Sequence, residues 1–363
     1  MFRIVKATSR LARLSRRPEP DVGKTPHDVV FAENKWRLLR FRGPEAPTAR
    51  TPILMVPSLI NRWYVLDLMP GRSFVEYLVD EGHDVFVIDW GTPGPEDRYL
   101  RFEDVVIRSI GRAIRRATEL SGAPRAHLLG YCMGGTLATI HAAVAGDPGH
   151  ALPNRVASLT SLAGPVSFHD GGLLSTWTNA PTFDADALVD AFGNVPWPLL
   201  VASFQLLKPT LTLSKGLYLM DQAMRDGRWT EDFLAGYLAK EKWANDNVSL
   251  PGEVFRTWVK ELYQRDGLVQ GTLRLDGRRV DLGHVTCPTH VISFEHDYIV
   301  PKEAAAPLAE LVGAKDVTHS HLNGGHVSSV VSKSARKRLW PALSQWWLQA
   351  TARPAAPTEL NVN

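Results

Sequence analysis

One stretch, HLLGYCMGGTLA at residues 127–138, constrains this chain more than any other. His127 to Leu129 read as a short buried strand, which runs into Gly130-Tyr131-Cys132-Met133-Gly134-Gly135 and then into the helix-forming Thr136-Leu137-Ala138. A strand that turns straight into a helix over one exposed side chain is a nucleophile elbow, in which the flanking glycines let strand, turn and helix approach closely. The side chain at the tip is a thiol, where a hydroxyl is usual. A free cysteine is most often a small core hydrophobe. The elbow argues otherwise for Cys132, because it exposes the sulfur at a helix amino end, where the dipole favours negative charge.

The surrounding text supplies the sheet such an elbow needs. Ile53 to Val56 and Val85 to Ile88 are continuous apolar runs closed by Pro57 and by Asp89-Trp90-Gly91, the signature of buried parallel strands. Between them SFVEYLVDEG has helical spacing and stops at Gly82, and Asp104 to Leu120 reads as an amphipathic helix. Val156 to Val166 and His290 to Phe294 read as further strands. Alternating strands and helices of this kind form a doubly wound, mostly parallel α/β sheet with its ligand site at the carboxyl ends of the strands. From about Asp170 to Leu282 helical segments such as TEDFLAGYLAKEKWA replace the strand punctuation, so a mainly helical cap is expected to be inserted into the core. The expected division is a basic arm at 1–24, core at 25–169 and 283–350, cap at 170–282 and a loose tail at 351–363.

A nucleophile on this sheet needs a base and a group to orient it, in the chain order nucleophile, acid, histidine. SFEHDYIVP places Asp297 just past a strand, and LNGGHVSSV places His326 in a glycine-rich loop. With twelve histidines in the chain, chance candidates abound. His296, His319 and His321 are rivals to His326, and Glu295 and Asp316 rivals to Asp297. The Met133 backbone N–H, next after the nucleophile, is the expected first oxyanion donor, and the loop VPSLINR should give the second near Leu59. No His/Cys/Asp cluster at ligand spacing leaves Cys132 free, so no metal is expected.

The box GYCMGG, the block VPSLINRWYVLDLMPGRSFVEYLVDEGHDVFVIDWG, the segment KWANDNVSLPGEVFRTWVKELYQ and the pair HDYIVP and GGHVSS together resemble polyhydroxyalkanoate synthase catalytic subunits, of the α/β-hydrolase superfamily. The likeness runs from about Thr25 to about Trp347. It implies Cys132 as the acyl-carrying nucleophile, His326 as general base and Asp297 as the third member, acting to polymerise (R)-3-hydroxyacyl-CoA with release of CoA. Coenzyme A then enters as part of the substrate, and no separate cofactor is implied. The short amino-terminal region is similar to the two-subunit (class III) type. The resemblance therefore implies a polyester granule surface and a second synthase subunit or a second copy as partners, with Val195 to Leu207 and the basic arm Arg3 to Arg17 as candidate docking surfaces. Sulfur suits this chemistry, since thioester exchange keeps the acyl group activated for attack by an alcohol.

Composition narrows the alternatives. A net charge of +3 is too balanced to imply nucleic acid. Two cysteines make no disulfide framework, and a reducing cytoplasm suits a free thiol. The most apolar segment, VPWPLLVASFQLLKP, is broken by prolines, Gln205 and Lys208, so no transmembrane span is expected. The competing readings are a cysteine hydrolase similar to dienelactone hydrolase, a thioesterase, and a non-catalytic granule-binding relative.

Overall fold

The computed structural model describes residues 2–14, 17–207 and 211–352. Eight strands form one sheet: β1 (His27–Glu33), β2 (Trp36–Phe41), β3 (Ile53–Val56), β4 (Val85–Asp89), β5 (Ala126–Tyr131), β6 (Val156–Leu162), β9 (Thr289–Phe294) and β10 (Val317–Leu322). The two-residue strands β7 (Arg274–Leu275) and β8 (Arg278–Arg279) pair separately. The order in the large sheet is β1-β2-β4-β3-β5-β6-β9-β10, parallel from β4 to β10 and antiparallel where β2 meets β1 and β4. Every residue of β3, β4, β5 and β9 is buried, which explains the unbroken apolar runs of β3 and β4.

Successive side chains leave opposite faces of a strand, and each face has its own core. Leu54, Val56, Phe86, Ile88 and Leu128 join one cluster, packed under α3 (Ile110–Ser121) and α4 (Met133–Gly146), after α1 (Phe2–Leu14) and α2 (Phe74–Asp80) in chain order. Ile53, Met55, Val85, Val87 and Leu129 join the other, where Phe74 of α2 stacks on Trp340 at 5.1 Å. The registers Val56↔Gly130, Tyr131↔Leu162 and Leu162↔Ile292 level the carboxyl ends of β3, β5, β6 and β9 along one rim.

The structure departs from the sequence reading in several places. The strand expected to reach Val166 ends at Leu162, because Ala163 turns at φ 50° and Gly164 must clear Gly135 of α4, where a Cβ would lie 2.6 Å from its Cα. The helix expected from Asp104 begins as a π-helical turn, Asp104–Ser109, before α3. The strands β1, β2 and β10 were not foreseen. Arginines in WRLLRF hide a strand whose Arg40 pairs with Asp84 through two bonds of 2.9 Å. In β10 the histidines that look like loop residues bond to Ser293 on β9.

Between β6 and β9 the regular elements are helical apart from the β7–β8 pair: α5 (Gly172–Thr178), α6 (Ala185–Phe192), α7 (Trp197–Leu207), α8 (Leu211–Met224), α9 (Glu231–Asn245) and α10 (Gly252–Thr257), with a π-helical turn at Trp258–Gln264. The basic arm is not loose. Its residues 2–14 form α1, which packs on α8, with Ala7 buried, Lys6 and Arg10 each 2.6 Å from Asp226, and Arg17 on Glu231 of α9. On α7 Trp197, Leu199 and Leu206 are exposed. Lys208 and the tail from residue 353 lie outside the described residues. Among the described residues no helix is long and apolar enough to cross a membrane.

Candidate active site

Cys132 sits between β5 and α4 with φ 58° and ψ −130°, a region that side chains rarely occupy and that costs on the order of 1–3 kcal/mol. The strain is held by neighbours on every side. The Cys132 N–H donates to the Leu162 carbonyl at 3.0 Å, the Gly135 N–H donates back to the Cys132 carbonyl at 2.8 Å, and Thr136 Oγ1 donates to the Pro165 carbonyl at 2.6 Å. A Cβ at Gly130 or Gly134 would overlap backbone, so only glycine allows α4 to start this close to β3 and β5.

Asp297 follows β9, and His326 lies in the loop after β10. The His326 ring meets Asp297 Oδ2 through Nδ1 at 2.7 Å. The other carboxylate oxygen accepts the backbone N–H groups of Ile299 and Val300, both at 2.9 Å, so Asp297 is fixed in orientation. Nε2 is the ring nitrogen left for Cys132, which lines the same cavity as His326. Burial opposes charge on this ring, but the Asp297 carboxylate and Cys132 outweigh it and hold the His326 pKa well above its ordinary value. Tyr131 adds a support that sequence reasoning passed over: its hydroxyl donates to the His326 carbonyl at 3.3 Å, beside Ser329 Oγ at 2.7 Å.

The structure thus brings Cys132, His326 and Asp297 together and leaves the rivals elsewhere. His319 and His321 share Ser293 on the sheet edge, His321 also contacts Glu295 at 2.7 Å, and His296 is exposed. Asp316 precedes β10, at the end of that strand away from the His326 loop. Met133 opens α4, and neither its N–H nor that of Leu59 has a hydrogen-bond partner among the described residues. Within the loop after β3, Pro57 and Ser58 line the cavity at Cys132, whereas the Leu59 side chain faces a separate cleft with Trp36 and Trp90.

That cavity, about 260 Å³, is lined on the cap side by Val201, Phe204, Lys215 and Trp243. Phe204 also lines a second, apolar cavity of about 160 Å³ that reaches Met133, Trp258 and Tyr263. Among the described residues no cluster of His, Cys, Asp or Glu is arranged to hold a metal ion.

Two family models match this chain, one for the alpha/beta hydrolase fold over residues 51–331 and one for the Poly-beta-hydroxybutyrate polymerase (PhaC) N-terminus over residues 19–78. The chain is 36% identical over 330 residues to the poly(3-hydroxyalkanoate) polymerase subunit PhaC of Allochromatium vinosum, covering 90% of this chain and 89% of that one. It belongs to the PhaC family. The PhaC of Synechocystis is 33% identical over 350 residues, covering 94% of this chain and 89% of its own length. Against the PhaC of Haloferax mediterranei the identity is 36% over 333 residues, and this chain spans 65% of that longer relative. The fold recurs in a putative lipase from Sulfolobus solfataricus, with a TM-score of 0.55 at 15% identity over 89% of this chain and 99% of that one. In this PhaC-family chain the elbow therefore stands on an α/β-hydrolase sheet with the sulfur of Cys132 at its tip.

Proposed function

We propose that this chain is a polyhydroxyalkanoate synthase that builds polyester from (R)-3-hydroxyacyl-CoA on Cys132. The observation that carries the reading is a thiol at the elbow of a PhaC-family chain that shares one cavity with His326, itself held by Asp297. His326 takes the thiol proton, and the sulfur attacks the thioester carbonyl carbon. A new C–S bond forms while the carbonyl electron pair moves onto oxygen, towards the Met133 N–H and the loop after β3. Collapse restores the carbonyl and breaks the bond to CoA, whose sulfur takes the proton from His326. The acyl group is then a thioester on Cys132. A 3-hydroxyl of another acyl chain, relieved of its proton by His326, attacks it, forms the ester C–O bond and releases the Cys132 sulfur, which recovers the proton.

Thioester to oxoester is downhill, so the second transfer supplies its own drive. The step needs the hydroxyl to arrive before water, a condition that the cap residues Phe204 and Trp243 over the cavity favour. The proposal places the chain in the cytoplasm at a polyester granule surface, with the exposed face of α7 against a second synthase subunit or a second copy. The basic arm is the weaker docking surface, since Lys6 and Arg10 are already engaged by Asp226.

Incubation with 3-hydroxybutyryl-CoA tests the reading when thiol release and turbidity are followed together. Release with turbidity is expected. Release without turbidity would mean a thioesterase, and neither would mean a binding protein or a lactone hydrolase. Co-expression with a synthase subunit followed by gel filtration tests the partner, with a stable complex as the expected outcome.

A further inference from the structure

The loop that follows β3 does not stand alone beside Cys132. Its residues 60–64 are sewn to the end of cap helix α9 and the residues after it. Asn61 and Asn247 form an isolated antiparallel bridge, and their side chains bond at 2.5 Å, Nδ2 to Oδ1. The Val248 N–H donates to the Ile60 carbonyl at 3.1 Å, and Trp243 Nε1 donates to the Arg62 carbonyl at 3.0 Å. At the centre lies Asp246. One of its oxygens accepts from Arg62 Nε at 3.0 Å and the other from the Tyr64 hydroxyl at 2.8 Å. Arg62 Nη1 also donates to Thr92 Oγ1 at 2.9 Å, so the guanidinium ties the seam to the core segment after β4.

This seam is a wall of the reaction cavity. Asn61 and Arg62 from one side and Trp243, Ala244, Asn245 and Asn247 from the other line the space that holds Cys132 and His326. The loop on which an oxyanion donor would stand therefore has its far end fixed by the cap, while its near end is fixed by Trp90 Nε1 donating to the Pro57 carbonyl at 3.0 Å. Electrostatic stabilisation of an oxyanion depends on donors held in place before charge develops. We propose that Asp246 is a positioning residue for acyl transfer: through Arg62 and Tyr64 it makes the docking of the cap set the geometry of the loop after β3. Loosening this seam then also loosens the oxyanion site.

The inference rests on acyl transfer at Cys132, and the test separates the two. Acylation by 3-hydroxybutyryl-CoA passes through an oxyanion. Alkylation of the same thiol by iodoacetamide does not, and it reads only the Cys132–His326 pair. In Asp246→Asn we expect the rate of CoA release at saturating substrate to fall about tenfold, less than the roughly 100- to 1,000-fold of losing an oxyanion donor outright, with KM changed much less and the alkylation rate of Cys132 kept within about twofold. Tyr64→Phe should give a smaller fall of the same kind, and combining it with Asp246→Asn should add little, because both act through one carboxylate. Equal losses in acylation and alkylation would make Asp246 a general structural residue and overturn the inference, as would unchanged CoA release. A wild-type protein that releases no CoA would instead remove the acyl-transfer reading on which the inference stands. Circular dichroism and thermal melting of each variant identify any that fails to fold, and Tyr64→Phe then carries the comparison.

Discussion

Gly134 lies so close to Val56 that a Cβ built on it would overlap the Val56 carbonyl oxygen. The elbow is thus wedged against the neighbouring strand, and the close approach puts the start of α4 beside the loop after β3. Gly134→Ala should force β3 and α4 apart and destabilise the protein by about 3 kcal/mol. Urea denaturation would show this as a lower midpoint at unchanged slope, and an unaltered midpoint would contradict the packing described.

Cys132→Ala should abolish CoA release from 3-hydroxybutyryl-CoA while leaving the thermal midpoint close to that of the wild type, since a small side chain is removed from a site that faces a cavity. Cys287 is a control within the same molecule. Burial pushes its thiol up to about 12, so near neutral pH iodoacetamide should label Cys132 and leave Cys287 unmodified. Peptide mapping by mass spectrometry reads the ratio directly. CoA release by Cys132→Ala above a trace would end the assignment.

His326 carries a pKa well above the ordinary value near 6.5, because Asp297 and Cys132 together outweigh the effect of burial. A raised folded value gives stability that is fully present below the unfolded pKa and is lost as pH rises through the folded one. The melting temperature of His326→Gln should therefore fall furthest below wild type under about pH 6.5, and the gap should narrow in alkali. Melts of the two proteins across that range make the check, and a gap that widens with pH would reverse the electrostatics.

Five other histidines run the opposite way, His319 among them. Burial lowers His83, His141 and His290 to about 4 and His127 to about 3. For a depressed folded value the stability is present above the unfolded pKa and disappears as pH falls through the folded one. Stability should decline steeply from about pH 6.5 towards 4 as the unfolded chain takes up protons that the native state refuses. His290→Asn should soften that decline, measured as the urea midpoint at two pH values.

The pairing of α1 with the cap is electrostatic on its exposed side, where Lys6 and Arg10 share Asp226. Surface pairs of this kind contribute little to global stability and weaken with salt. Asp226→Asn should leave the melting temperature nearly unchanged yet speed tryptic cleavage within α1 several-fold, and high salt should do the same to the wild type. Equal cleavage rates would assign the docking to buried Ala7 and its apolar neighbours instead.

What the sequence determined by itself is what is local in it. The elbow can be read from HLLGYCMGG because strand, glycine turn and helix start follow one another, and β3 and β4 can be read because strands covered on both faces are almost wholly apolar. Asp297 and His326 were placed by their positions after a strand and in a glycine loop. Charge and polarity obscured β2 and β10, because a strand may carry Arg40 or His321 when a side chain elsewhere, Asp84 or Ser293, makes a hydrogen bond with it. Only the tertiary structure decided that α1 folds onto α8, and that Asp246 joins Tyr64 across 182 residues of chain to wall the cavity at Cys132. Such contacts leave no periodic mark in the sequence. They depend on where the cap comes to rest, which is fixed by the summed packing of elements far apart along the chain.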